Sequence, residues 1–202
     1  MIIIASAVTG YLLGNINGAY IVGRLAGGID IREHGSKNAG ATNVNRVLGS
    51  KPAILALAID LLKGVAAVIM GKLLYSGDMG AIAAGIAVVC GHNWPYFLKF
   101  KGGKGIATSL GVLISLDYRV ALILIAAGIL IIITTRYVSL ASVVCAAFYP
   151  VLVVAYKLSV EMIVFSIAIS VFALLRHKEN IKRLLAGKES KISIKLTPKK
   201  GD

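Results

Sequence analysis

Acidic residues are scarce in this chain: nine Asp and Glu stand against 22 Lys and Arg. Its polar segments therefore offer no acidic cluster of the kind that holds Mg²⁺, which argues against kinase-like phosphoryl transfer. Cysteine is nearly absent too. Cys90 and Cys145 both fall inside apolar runs, without disulfide or metal spacing, and read as packing residues. No Gly-x-x-x-x-Gly-Lys-Ser/Thr spacing occurs, so no nucleotide P-loop is expected, and no Ser or Cys sits in a nucleophile elbow. The opening Met1-Ile-Ile-Ile-Ala lacks the basic stretch of a cleavable signal and is expected to run straight into a first helix.

What is abundant is apolar side chain. The 202 residues are 57 % hydrophobic, with a mean hydropathy of +0.83, more than a soluble domain can hide from water. The apolar residues come in long runs without strand-like alternation, which excludes a membrane barrel. An all-α integral membrane protein follows, because only a helix satisfies its backbone polar groups within the segment itself. Spans are expected at roughly 2–23, 53–75, 80–98, 105–116, 120–135, 138–156 and 159–175, a seven-helix bundle forming a single domain. The fourth, at about 18 Å, is too short to cross about 30 Å of hydrocarbon unaided and is either extended through Asp117 and Tyr118 or broken inside the bundle.

Charge placement orients the bundle. With the N-terminus outside, the inside segments hold 18 Lys and Arg against three outside (Lys72, Arg119 and Lys157), a strong positive-inside bias. The C-terminus, with the basic tail 176–202, then lies in the cytoplasm. The net charge of +13 is accounted for by topology and contact with anionic headgroups, with no need for nucleic acid. The end of that tail, Lys191 to Lys200, alternates apolar and basic and reads as lipid association.

Every long polar segment falls on that one face. The first, EHGSKNAGATNVNRVLG, begins at Glu33. If helical from Asn38, it gathers Asn38, Thr42, Asn45, Arg46 and Gly49 on one arc and turns Val44, Val47 and Leu48 to the other. The Ser36 hydroxyl and the helix N-terminal amides suit an anion. The second, GHNWPYFLKFKGGKG, puts Trp94 and Tyr96 at the membrane interface. Gly102, Gly103 and Gly105 allow sharp turning, and Lys104 stands just before a helix start, where amides, helix dipole and ammonium converge. The third, RHKENIKRLLAGKESK, begins at Arg176; it sets His177 and Asn180 three apart, pairs Glu179 with Arg183 and offers Gly187 as a helix C-cap. Taken singly, each segment also has a plainer reading: a polar connector on the headgroups, a glycine hinge, a surface helix. Within the spans, Asp60 and Lys63 lie about a turn apart, as either a functional or a structural ion pair. Asn15 and Asn17 read as interhelical hydrogen bonds. Ser139 and Ser142 open the sixth span on the same face.

Two cations, two small polar donors and an imidazole suit doubly charged phosphates. No His is followed by Asp in the His-x-x-x-x-Asp acyltransferase arrangement: the fifth residues after His34, His92 and His177 are Ala39, Phe97 and Lys182. The paired-Asp pattern of alcohol phosphotransferases is missing as well. The remaining alternatives are an enzyme acting on phosphates without metal or covalent intermediate, a membrane anion or phosphate-compound transporter, and a structural membrane subunit.

The three segments, in this order and over a chain of this length, resemble the signature segments of bacterial acyl-phosphate:glycerol-3-phosphate acyltransferases. That resemblance covers essentially the whole chain. It implies transfer of a fatty acyl group from acyl phosphate to the sn-1 hydroxyl of glycerol-3-phosphate at the cytoplasmic side of the bacterial cell membrane, yielding lysophosphatidate for phospholipid synthesis. It implies no cofactor and no metal, and as partners only these two substrates and the bilayer. The catalytic candidates are Ser36, Arg46, Lys104, His177 and Asn180. The phosphate-binding candidates are Ser36, Asn38, Thr42, Asn45, Arg46, Gly102, Gly103, Lys104, Gly105 and Ser142. Between His177 and a substrate phosphate oxygen as acceptor of the hydroxyl proton, the phosphate oxygen is expected, in a substrate-assisted route without covalent acyl-enzyme, because no carboxylate partner for His177 is evident.

Overall fold

The computed structural model describes residues 1–75 and 78–192; the basic and apolar alternation beyond residue 192 lies outside the described residues. Among these the chain is all helix. Ten α-helices follow in order: α1 (Ile2–Gly14), α2 (Gly18–Gly27), α3 (Ala41–Leu48), α4 (Ser50–Leu74), α5 (Asp78–Asn93), α6 (Ile106–Leu116), α7 (Tyr118–Thr135), α8 (Val138–Ala155), α9 (Val160–Arg176) and α10 (Lys178–Leu185). Five helices or helix pairs are long and apolar enough to cross a bilayer, and α9 with α10 makes a sixth if that pair, bent by 62°, counts as one span. The segment expected at 105–116 is an 11-residue helix, about 16 Å long at the helical rise, and cannot cross alone.

The first expected span is two helices. α1 stops at Gly14 and α2 restarts at Gly18, because Asn17 turns extended and its side chain caps Tyr20 N. Asn15 and Asn17 do not bond helix to helix as expected but tie the break to loops: Asn15 Oδ1 accepts from Phe97 N in the turn after α5, and Asn17 Nδ2 donates to Ala39 O ahead of α3. α1 packs most closely on α5, where Gly14 and Gly91 bring the two backbones into contact with no room for a Cβ. Pro52 sits in the first turn of α4, where its missing N–H is no loss. Pro150 lies inside α8 and frees the carbonyl of Ala146, four residues back. Ser170 of α9 donates its hydroxyl to that oxygen at 2.6 Å, which repairs the ladder where no water reaches.

Two apolar clusters hold the bundle. One joins Val88, Val112, Val120, Tyr149, Val153 and Phe165 across α5 to α9. The smaller joins Ala19, Val22, Ile31, Val44 and Ala56 and seats the first polar segment on α2 and α4. The segment between α2 and α4 with its helix α3, the loop between α5 and α6, the first turns of α6 and α8, and the stretch after α9 wall one cleft, with Leu57 and Asp60 of α4 behind them.

Candidate active site

The first segment is not helical from Asn38. α3 begins at Ala41, with Asn38 ahead of it and Gly49 beyond it at φ +88°, since the preceding loop is held by another residue. Asn43 is 1 % exposed. Its Oδ1 accepts from Ser36 N at 2.8 Å, and its Nδ2 donates to Ile31 O and His34 O, each at 3.0 Å. One buried amide thus shapes the loop that presents Ser36. Asp30 adds a tie: its carboxylate pairs with Arg32 at 2.7 Å, which holds it down to about 2. Arg32 Nη1 donates to Leu98 O at 2.8 Å, fastening the first segment to the second.

The glycine loop is held from behind. Arg176, at the end of α9, donates to Gly103 O from Nε at 3.0 Å and from Nη2 at 2.8 Å, and Nη2 also reaches Gly102 O at 3.3 Å. The guanidinium lies over the Trp94 ring, 5.7 Å from its centroid. Gly103 N donates to His92 O at 3.1 Å. With the loop carbonyls occupied by Arg176, the chain turns at Gly105 (φ +80°) into α6, whose start no side chain caps. Lys104 leans the other way and donates to Asn180 Oδ1. Burial, together with Arg183, Arg176 and Arg46 nearby, brings its ammonium down to about 8, although Glu189 pulls the opposite way.

The third segment bends at His177. Its Nδ1 lies 2.8 Å from Ala173 O, so that nitrogen carries the proton and Nε2 is left as acceptor. Burial, reinforced by the Lys104 charge, pushes the imidazole down to about 4. The expected Glu179–Arg183 pair does not form. Glu179 meets Lys182 at 3.3 Å, and Arg183 Nε donates to Glu189 Oε2 at 2.7 Å, because the chain after α10 folds back. Gly187 N donates to Leu184 O and Lys188 N to Arg183 O, closing α10 with Gly187 at φ +65°. Glu189 also accepts from Ser139 Oγ at 3.0 Å and from Asn180 Nδ2 at 2.8 Å. Burial alone would raise its carboxyl, but hydrogen bonds from Asn180, Arg183 and Ser139 outweigh it and hold the group below its ordinary value.

These parts meet in one cleft of about 1300 Å³. Ser36, Arg46, Lys104, His177 and Asn180 all line it, as do Asn38, Thr42, Asn45, Gly102, Gly105 and Ser142. Gly103 is not on that wall: its amide and carbonyl are taken by His92 and Arg176, so it braces the loop from behind. Ser142 Oγ donates to Val138 O at 2.9 Å. Asn43, His92, Arg176 and Glu189 were not among the candidates. A polar residue on the apolar arc of α3 and a lone acid amid basic residues were the available signals for Asn43 and Glu189. Nothing local marks His92 or Arg176, whose partners are distant in sequence.

Fold and cleft together define a membrane-embedded helical protein with a large cation-rich cleft. The family model described as Glycerol-3-phosphate acyltransferase matches residues 4–187. A protein of Thermoanaerobacter sp. (strain X514) named glycerol-3-phosphate acyltransferase is 50 % identical over 96 % of this chain and 98 % of its own. The crystal structure of PlsY (YgiH), an integral membrane glycerol 3-phosphate acyltransferase, in its glycerol 3-phosphate form, is similar at 35 % identity and a TM-score of 0.89, covering 95 % of this chain and 96 % of that one. Its lysphosphatidic acid form is similar at 34 % identity and a TM-score of 0.86, over the same shares of the two chains. The chain belongs to the glycerol-3-phosphate acyltransferase family.

Proposed function

We propose that this protein transfers a fatty acyl group from an acyl phosphate to the sn-1 hydroxyl of glycerol-3-phosphate, forming lysophosphatidate and inorganic phosphate. The observation that carries the reading is the convergence of Ser36, Arg46, Lys104, His177 and Asn180 on a single cleft in a chain of this family. An acyl phosphate is a mixed anhydride, so the carbonyl is already activated and no enzyme nucleophile is required. The protein's task is to hold two anions against their repulsion and to stabilise the charge that develops on the carbonyl oxygen and on the departing phosphate. Arg46, Lys104 and the uncapped start of α6 supply that positive potential.

The hydroxyl proton goes to a phosphate oxygen in this scheme. Among the described residues no carboxylate hydrogen-bonds the His177 ring, and its imidazole, near 4, is a weaker base than a phosphate dianion, whose second ionisation lies at about 6. His177 then orients substrate through Nε2. The C–O bond of the new ester forms as the C–O bond to phosphate breaks, and the transferred proton leaves on phosphate.

A transporter would carry its site near the midplane; here the candidate residues come from loops, short helices and helix starts that wall one cleft. From the charge bias we read that cleft as cytoplasmic, with seven crossings counting α6, an external N-terminus and an internal C-terminus. Tags appended at the two termini are expected to be labelled from opposite sides of sealed vesicles.

The deciding experiment measures phosphate release and lysophosphatidate formation by purified, lipid-reconstituted protein given palmitoyl phosphate and glycerol-3-phosphate with EDTA. Turnover that disappears in Lys104→Ala supports the proposal. A folded protein that makes no lipid product refutes it.

A further inference from the structure

The reaction leaves unused a cluster of deeply buried ionisable groups between α4 and α5. Asp60 and Lys63 on α4 and His92 on α5 are 2 %, 5 % and 3 % exposed. Lys63 Nζ stands 2.8 Å from Asp60 Oδ1 and 2.8 Å from His92 Nδ1, which is itself 3.4 Å from the same carboxylate oxygen. Burying such charges costs several kcal/mol per ion unless each finds hydrogen-bonding partners. Their partners are the ends of the broken first span. Lys63 donates to Gly14 O and Ile16 O, at the negative end of α1, and Asp60 Oδ1 accepts from Gly18 N at 3.1 Å, at the positive end of α2. A single ion pair thus complements both half-helix dipoles at the break.

The network continues to the glycine loop. His92 O accepts from Gly103 N at 3.1 Å, and His92 Nε2 occupies the space where a Cβ on Gly103 would lie. Asp60 and His92 also form part of the cleft wall. A brace needed only for the broken span would end at Gly14, Ile16 and Gly18. This one reaches past them to the backbone that carries Lys104.

We propose that Asp60, Lys63 and His92 are positioning residues that lock the glycine loop in its phosphate-binding shape, the ion pair anchored on the broken first span and His92 set against the loop. The inference rests on reading that loop as the phosphate-binding element. Misplacing a binding loop removes affinity that ground state and transition state share, which raises KM and spares kcat.

The test uses full-length protein in lipid, with glycerol-3-phosphate binding measured at equilibrium alongside turnover and thermal unfolding. His92→Ala is expected to weaken glycerol-3-phosphate binding by about tenfold or more while kcat at saturation stays within about threefold. Added to Lys104→Ala, the same change is expected to cost less than about threefold further, because two residues acting through one loop are non-additive. The combined Asp60→Asn, Lys63→Met variant removes both charges at near-constant volume and is expected to reproduce the affinity loss, so it carries the test if His92→Ala does not fold. Unchanged affinity, full additivity with Lys104→Ala, or loss of folding in both variants overturns the inference and leaves a plain structural brace. A wild type that binds and turns over beside an indistinguishable His92→Ala sinks this inference alone; a wild type that does neither sinks the functional reading with it.

Discussion

Lys104 Nζ donates to Asn180 Oδ1, while Asn180 Nδ2 donates to Glu189 Oε1 at 2.8 Å. The neutral amide aims the lysine into the cleft without neutralising it, and stands between that cation and the carboxylate that would quench it. Sequence spacing had placed Asn180 beside His177; its contact with Lys104 spans 76 positions.

That arrangement makes Asn180→Asp a sharp test. The substitution hardly alters shape but pairs Lys104 with a carboxylate and sets a second negative charge against Glu189. A fall in kcat/KM of at least about tenfold is expected, mostly through KM for the phosphate substrates. Steady-state kinetics on the lipid-reconstituted variant check it, and unchanged kinetics would show that the Lys104 charge is not what binds.

Alkaline pH should act on the same residue. Lys104 sits near 8, so its ammonium predominates below that value and is lost as pH rises through it. Phosphate binding favours the protonated form, and glycerol-3-phosphate affinity is expected to fall by up to about tenfold per pH unit above about 8. Lys104→Arg, whose guanidinium stays charged, should flatten this limb if it binds at all. An alkaline limb that persists in Lys104→Arg would assign the titration elsewhere.

For His177, proton transfer to phosphate predicts a modest effect. His177→Ala should lower turnover by less than about tenfold, since the imidazole only orients substrate; a loss beyond about a thousandfold would make it the base.

One prediction concerns the fold. Ser170→Ala leaves Ala146 O, already orphaned by Pro150, without a donor inside the bundle. A loss of about 1 kcal/mol is expected, read as a lowered unfolding temperature in detergent with KM unchanged. An unchanged unfolding temperature would mean that the carbonyl finds another donor.

Much was legible in the linear chain because bilayers impose simple rules. Hydrophobic run length announces helices, and the short run before Asp117 came out as an 11-residue helix. Polar inserts in so apolar a chain are expensive unless they serve a purpose, which drew attention to Ser36, Arg46, Lys104 and His177. Boundaries were less legible. Asn17 caps the start of α2 locally, but the groups that satisfy both ends of the break, Asp60 and Lys63, lie more than 40 positions away. The Glu179–Arg183 pair failed for a related reason: helical spacing is a local rule, and Glu189 competed from beyond α10.

The sequence by itself determined the membrane class, the helical architecture, the gathering of polar segments and, through three ordered motifs, the family. Periodicity, hydropathy and local spacing suffice for those, since each is written in neighbouring residues. Only the tertiary structure decided which groups support the ones that face the cleft. Asn43 holds the Ser36 loop, Arg176 occupies the carbonyls of the glycine loop, and Glu189 steadies Asn180. Arg176 acts across elements far apart in sequence, and even Asn43 and Glu189 act only through the way their segments fold back. A buried hydrogen bond depends on which chains meet in a region without water, and that is settled by packing.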